Sequence, residues 1–234
     1  MISVVIPTYN EEQCLPKLLE SLKCQSYKDF EIIVADNNSI DKTRELAKKA
    51  GVKIVNGGLP SRGRNCGAKV ASGDWLLFLD ADVILSPNFL EEACAEIEKR
   101  QLAVASCLVK PMSNKKIDYI LHGIVNNYMK LMKNISTHAP GSCIFVKTWV
   151  HKNLEGFNEK LKLAEDHDYV NRARKIANFG LLKKVRVPIS VRRLEKDGRF
   201  NIAMKYLAIE AHLIFLGPIY SDVFNYKFGY SSKK

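Results

Sequence analysis

Apolar positions along this chain alternate between two periods. The runs Ile2 to Ile6, Glu31 to Ala35, Val52 to Val55 and Trp75 to Leu79 have the length and composition of buried strands. Between them apolar side chains recur at helical spacing. Leu15, Leu18, Leu19 and Leu22 mark one helix; a second starts near Asp41 and stops at Gly51; a third runs from about Arg62 to Ala68 and carries Val70 and Ala71. Ser86-Pro87 predicts a helix with proline at its first position and Glu91 and Glu92 near its positive end, running to about Arg100. Ala103 to Val109 follows as a strand, 117–132 as a helix, Ala139 to Val146 as a turn and strand, and 149–157 as a short helical connection. Leu163 to Asp168 opens a helix with Tyr169, Val170 and Ala173 facing inward; Lys184 to Val187 is a last strand, and Val191 to Gly198 a charged loop.

Strands alternating with helices at this pitch predict an α/β fold with a mostly parallel central sheet flanked by helices. Ligands of such sheets bind beyond the carboxyl ends of the strands. The polar segments Thr8 to Glu11, Asp36 to Ser39 and Asp80 to Asp82 are therefore expected on one rim. No G-x-G-x-x-G or P-loop pattern is present, which disfavours a dinucleotide oxidoreductase or a P-loop ATPase. From Phe200 to Tyr220 the chain is mostly apolar, but Asn201, Lys205, Glu210 and His212 interrupt it, and a span needs ~20 nearly unbroken apolar residues. Asn201, Lys205 and His212 fall on one helical side. That suits a helix lying in a membrane interface or packed on a partner, against the alternative of a helix folded onto the domain's own core.

The 234 residues fit one domain over 1–198 and a C-terminal helical tail over 199–234. Charge divides them unevenly. Residues 1–110 hold 14 Lys and Arg against 15 Asp and Glu, a balance of −1; residues 111–234 hold 22 against 10, a balance of +12. The second half is thus expected to meet an anionic partner such as a phosphorylated lipid or a membrane surface. Nucleic acid is disfavoured, because no DNA- or RNA-binding signature accompanies the charge. The N-terminal segment lacks a secretory leader, and six scattered cysteines lack a C-x-x-C pair, so a cytoplasmic protein with reduced thiols is expected, in peripheral contact with the inner membrane face.

Asp80 and Asp82 follow the most apolar strand. Alternate residues of a strand share a face, so the two carboxylates converge if the extended geometry continues past Leu79. Two hard oxygen ligands suit Mg²⁺ or Mn²⁺, often held together with substrate phosphates. The other reading is a pair of turn residues. His167 and His212 are further candidate ligands, although a lone histidine is more often structural.

An ordered set of motifs resembles the family 2 glycosyltransferases of GT-A fold. It comprises Val4-Val5-Ile6-Pro7-Thr8-Tyr9-Asn10-Glu11, Ile33-Val34-Ala35-Asp36-Asn37-Asn38-Ser39 with Asp41 and Thr43, and Arg64-Asn65-Cys66-Gly67 through to Leu79-Asp80-Ala81-Asp82. Gly156-Phe157-Asn158-Glu159 and Glu165-Asp166-His167-Asp168 complete it. The resemblance implies an inverting transfer of sugar from a nucleotide diphosphate sugar to an acceptor hydroxyl, with 1–110 as the nucleotide-sugar-binding half and 111–198 as the acceptor-binding half. It implies that Pro7, Thr8, Tyr9 and Glu11 line the nucleotide pocket, that Asp36 hydrogen-bonds the base with Asn38 beside it, and that Arg64 lies near base and phosphates. It further implies that Asp80 and Ala81 sit by the ribose, that Asp80 and Asp82 hold the metal, and that Asp166 is the catalytic base in preference to Glu165 or Asp168.

The chemistry agrees. A departing diphosphate gains charge that a divalent cation stabilises, and an attacking hydroxyl needs a carboxylate to take its proton. Asp166 at a helix start is expected to stay ionised, with an N-cap as its structural alternative. Arg192 and Arg193 are candidates to close over donor phosphates. Two departures from the family pattern, Glu155-Gly156-Phe157-Asn158 and the lack of a Gln-x-x-Arg-Trp after Asp166, argue against a processive synthase and leave a lipid-linked or glycan acceptor open. A nucleotidyltransferase of similar sheet and a non-catalytic nucleotide-sugar-binding protein are the rival readings. Against the first stands the absence of a Gly-rich basic loop after the first strand.

Overall fold

The computed structural model describes residues 1–132 and 139–224; the end of the expected tail, 225–234, lies outside the described residues. Its strands are β1 (Ile2–Thr8), β2 (Phe30–Asp36), β3 (Lys53–Asn56), β4 (Trp75–Leu79), β5 (Val104–Met112), β6 (Cys143–Lys147) and β7 (Phe179–Ser190). They form one sheet in the order β3-β2-β1-β4-β6-β5-β7. β3, β2, β1 and β4 are mutually parallel; β6 runs antiparallel to both its neighbours, and β7 is parallel to β5. The helices are α1 (Leu15–Lys23), α2 (Thr43–Lys49), α3 (Pro60–Lys69), α4 (Phe89–Lys99), α5 (Lys116–Met132), α6 (Thr148–Asn153), α7 (Glu165–Ala173), α8 (Arg192–Lys196) and α9 (Arg199–Phe215).

The unbroken apolar runs are explained by burial of the sheet on both faces. Ile2, Val4, Ile6, Leu77 and Leu79 join a core with Leu15, Leu18 and Phe89 on one side. Val5, Leu76 and Phe78 join a second core with Phe157, Tyr169 and Val170 on the other. Each such side chain contributes roughly 1.5–3 kcal/mol by leaving water. The strand period of two therefore assigns alternate residues to two helical layers.

Four expectations are corrected. Helix α4 begins at Phe89, not at Pro87, because Leu90 N–H donates to Gln25 Oε1 (3.0 Å) and Phe89 N–H to Ser86 O (3.0 Å). β7 is much longer than 184–187. Its register against β5 shifts at Cys107/Leu108, and there the N–H groups of Lys183 and Lys184 turn to the buried Glu96 carboxylate at 2.9–3.0 Å. Residues 192–196 are the helix α8 rather than a loop. Helix α3 ends at Lys69, before Val70 and Ala71.

Candidate active site

The rim lies where β1, β2 and β4 end, as the topology rule requires. Thr8 Oγ1 donates to Asp36 Oδ1 (3.1 Å) across the buried β1–β2 pair. Asp36 also accepts from Ser39 Oγ (2.6 Å) and Ser39 N–H (3.1 Å), with Arg44 Nη1 at 3.4 Å. Asn10, at φ 55°, locks the two loops together: its N–H donates to Ser39 Oγ (2.9 Å) and its Oδ1 accepts from Ile40 N–H (2.9 Å). The Asp36 carboxylate is fully buried and shapes this turn. Tyr9 and Asn38 are the more accessible side chains here, and Pro7 is half-buried beneath them, its Cβ 3.0 Å from where a Cβ on Gly63 would stand.

Asp80 directly follows the end of β4, and Asp82 sits in the turn after it, not on an extended strand. The strand geometry cannot continue because the end of β7 pairs with this segment: Ser190 N–H donates to Asp82 O (3.1 Å), Ile84 N–H to Pro188 O (3.2 Å), and Val83 bridges Ile189. Ala81 is buried between the two aspartates. Asp80 accepts from Arg64 Nη2 (3.0 Å), whereas Asp82 lies 3.6 Å from Arg192 Nε. Burial, together with the like charge of Asp80, pushes the Asp82 carboxyl up to about 6.

Arg64, on α3, is the hub. It is almost fully buried and bonds Glu165 Oε1 (2.8 Å), Asp80 Oδ1 (3.0 Å) and Gly141 O (3.3 Å), with its guanidinium carbon 5.3 Å above the Phe157 ring. Burial opposes its charge, but Asp80, Glu165 and Asp166 outweigh that and hold its pKa above the usual value. Phe157 stacks on Tyr169 (3.9 Å between centroids) and meets Phe78 of β4 edge-on (5.0 Å), so the hub rests on the sheet through aromatic packing. The neighbouring Asn65 bonds both N–H and C=O of Phe157 (2.8 and 2.9 Å) and docks the 156–159 turn onto α3.

Asp166 accepts from Gly141 N–H (2.8 Å) and His167 N–H (2.9 Å). A Cβ on Gly141 would stand 2.7 Å from Arg64 Nη2 and 3.1 Å from Asp166 Oδ2, so the loop before β6 lies close against both side chains. Asp166 is not the N-cap of α7; that position is Ala164, at φ 58°. Burial moves the Asp166 carboxyl up, against the pull of Arg64 and the two N–H donors, rather than leaving it at an ordinary helix-start value. Glu165 is closed off by its ion pair to Arg64, and Asp168 pairs with Arg172 (2.9 Å). Asp166 is held differently, by backbone donors, with the imidazole Nε2 of His167 4.0 Å from its Oδ1. Of the three acids in this motif it is the one not engaged by an arginine hydrogen bond, which suits it best to accept a proton.

Of the two candidate arginines after β7, Arg192 is the one bonded into the rim: it pairs with Glu11, lies 3.6 Å from Asp82 and donates to Cys14 Sγ (3.4 Å), while Arg193 adds its charge to Asp82. The Arg-Arg pair was visible in the sequence, but only the β7 end decides its register. Sequence reasoning missed Gly141, flagged only by Pro140-Gly141-Ser142 ahead of a strand. Glu11, raised by burial against the Arg192 pair, keeps its Oε2 buried without a hydrogen bond. Five carboxylates (Glu11, Asp80, Asp82, Glu165, Asp166) thus surround two guanidiniums. Among the described residues no three His, Cys, Asp or Glu side chains are arranged to hold a metal by themselves. A cavity of about 370 Å³ opens beside Arg192, lined also by Met112, Ser113, Lys115, Ser190 and Glu195.

Known proteins are similar to this chain in sequence and fold. The poly(ribitol-phosphate) beta-N-acetylglucosaminyltransferase TarS of Staphylococcus aureus is 30% identical over 188 residues, which are 75% of this chain and 33% of TarS. The chain thus spans about a third of that relative's length. The 4,4'-diaponeurosporenoate glycosyltransferase of Staphylococcus haemolyticus is 40% identical over 109 residues, 43% of this chain and 29% of that protein. The crystal structure of S. aureus TarS 1–349 with UDP-GlcNAc superposes with a TM-score of 0.67 at 25% identity, over 81% of this chain and 58% of that one. The mannosyltransferase PcManGT of Pyrobaculum calidifontis, solved with GDP-Man and Mn²⁺, shares the fold at 19% identity and a TM-score of 0.66, over 81% and 56%. Residues 3–154 match the family described as Glycosyl transferase family 2. With a GT-A sheet and that match over most of its length, the chain belongs to glycosyl transferase family 2.

Proposed function

We propose that this protein transfers a sugar from a nucleotide diphosphate sugar to an acceptor hydroxyl, with inversion, using Asp166 as general base. The observation that carries the reading is that Asp80, bonded to the buried guanidinium of Arg64, and Asp166, bonded to Gly141, whose carbonyl Arg64 also holds, meet at the carboxyl edge of the sheet. TarS, the relative with a UDP-GlcNAc complex, makes a UDP-sugar a first donor to try.

The donor set fits a divalent cation. Carboxylates outnumber guanidiniums, Asp82 is held up by burial and by Asp80, and Glu11 Oε2 is buried with no hydrogen bond. Asp80 and Asp82 would hold Mg²⁺ or Mn²⁺, a hard ion that shares its shell with substrate phosphates. When bound, it would supply Lewis-acid stabilisation of the departing diphosphate. Arg64 orients Asp80 and carries charge toward the phosphates, and Tyr9 and Asn38 offer accessible surface to the base. Asp166, lifted by burial yet held by two N–H donors, is the carboxylate placed to take the hydroxyl proton. A lipid-linked or glycan hydroxyl is the proposed acceptor.

The test screens UDP-, GDP- and dTDP-sugars with and without Mn²⁺, first by thermal shift and then by nucleotide release. A metal-dependent upward shift with one donor is expected. Asp166→Asn is expected to keep that shift while turnover falls at least about 100-fold. Equal turnover in this variant removes Asp166 as base, and no shift with any donor overturns the activity.

A further inference from the structure

Helices α5 and α9 each carry a line of apolar side chains on the side turned away from the core. The residues α5 buries include Asp118 (0% exposed) and Asn126 (5%), which pairs with both backbone groups of Val109 at 2.8 and 3.0 Å. Ile117, Ile120, Ile124 and Leu131, spaced to fall on one line of the helix, are 45–75% exposed. In α9 only Ile202 and Ile209 are buried, whereas Phe200, Met204, Leu207 and Ile214 form a second line at 49–75%. The helices lie side by side in the same direction. Arg199 pairs with Asp118 (2.7 and 2.9 Å) at one end, and Tyr128 donates to Glu210 (2.6 Å) at the other. Each apolar line is opposite its helix's own buried residues, so both look away from the core. Water is a poor neighbour for such a face.

The charges say what covers it. Asp118 and Glu210, the acids of these two helices, are tied inward by those bonds, whereas Lys115, Lys116 and Lys130 are exposed beside the apolar lines. This half of the chain carries the +12 balance counted from 111 to 234. A second copy docking here would oppose two basic surfaces. A helix pair with apolar lines flanked by lysines matches the acyl boundary and headgroups of an anionic bilayer. No helix of the described residues is long and apolar enough to cross a membrane. We infer that the α5–α9 face seats this protein flat on an anionic lipid surface. Ser113 and Lys115, which lead into α5, line the cavity that reaches Arg192, so the seated face borders the candidate site.

The experiment is flotation of the full chain with vesicles of phosphatidylcholine alone or with about 30% phosphatidylglycerol, at about 50 and 500 mM salt, with no nucleotide present. Binding to the anionic vesicles at low salt is expected at least about tenfold tighter than to the neutral ones. Replacing exposed residues by Ile120→Ser, Ile124→Ser, Leu207→Ser and Ile214→Ser together is expected to cost at least about tenfold. Lys116→Glu and Lys130→Glu together should abolish the preference for anionic lipid. Donor-induced thermal shifts should be unchanged in both sets, which shows them folded and separates this inference from the donor reading. Wild-type protein that stays unbound, or an apolar set that binds as well as wild type, overturns it. So does a dimer, seen by sedimentation, that the same apolar substitutions dissociate.

Discussion

Arg64 carries the electrostatics of the site, and its removal has a calculable sign. Its guanidinium is the cation paired to Glu165, whose side chain is only 11% exposed, and no water can replace it there. Breaking a buried pair by deleting one partner costs about 3–5 kcal/mol, since it strands the other charge. Arg64→Ala is therefore expected to lower unfolding stability by about that amount, and the added change Glu165→Gln to recover part of it, measured by urea denaturation as a double-mutant cycle. Equal losses in the single and double variants would show that packing on Phe157 dominates. A second residue-scale prediction concerns His151, buried against Phe78, Phe157 and Tyr169 and bonded to Tyr169 Oη at 2.9 Å. Burial, and then the Arg172 charge, push its imidazole down to about 4. The folded protein thus keeps it neutral, while the unfolded chain protonates it near the ordinary histidine value of about 6.5. Its contribution is complete above about pH 6.5 and is lost by about 1.4 kcal/mol per unit as pH falls toward about 4. Urea titrations from pH 4 to 7.5 on wild type and His151→Gln should differ in slope over that window. Parallel slopes would refute the assignment.

At the scale of elements, legibility followed from how local the cause of each element was. β1, β2 and β4 were readable because a strand buried on both faces needs only an apolar run. β7 was readable only over 184–187, and its full length was not, because its middle is polar: Lys183 and Lys184 leave the β5 ladder and give their N–H groups to Glu96, 87 and 88 positions away. The start of α4 escaped for the same reason, its cap being Gln25 from beyond the end of α1. α8 buries none of its five residues, so no hydrophobic period marks it; Arg192 pins it to Glu11 and Asp82 instead. The bulge gives a direct prediction. Glu96 accepts from two backbone N–H groups and from Arg100 (2.7 Å), and these bonds outweigh burial and hold its pKa below the usual value. Glu96→Ala is expected to destabilise by about 2–3 kcal/mol, and Glu96→Gln by less, because an amide oxygen still accepts from an N–H. Thermal unfolding of the pair decides it: equal losses would mean that the bulge does not depend on this acceptor.

For the whole molecule, the rim could be foreseen because parallel strands end on one edge, which puts Thr8, Asp36 and Asp80 together from strand order alone. What pattern could not supply was the cross-chain chemistry. Arg64 and Glu165 stand 101 positions apart, and Arg192 and Glu11 stand 181 apart. The family resemblance named the acids and Arg64 but not the bonds that join them, and Arg192 and Arg193 stood as equal candidates until the end of β7 set Arg192 against Glu11 and Asp82. The same long-range assembly concentrates negative charge in a chain that is strongly basic overall, and that contrast yields the last prediction. Five rim carboxylates against two guanidiniums leave the cluster in need of a cation even before donor binds. Mn²⁺ or Mg²⁺ alone, at about 100-fold excess over its Kd, is expected to add about 2.7 kcal/mol. For a domain of this size that is a rise of about 5–10 °C in Tm. Asp82→Asn should do the opposite of a simple core lesion. It removes a carboxylate that burial and Asp80 already disfavour, so the metal-free protein should be no less stable than wild type, while the cation-induced rise disappears. Differential scanning fluorimetry with and without chelator reads both halves at once. A cation shift that survives in Asp82→Asn would move the metal to another part of the surface and break the link between charge clustering and catalysis.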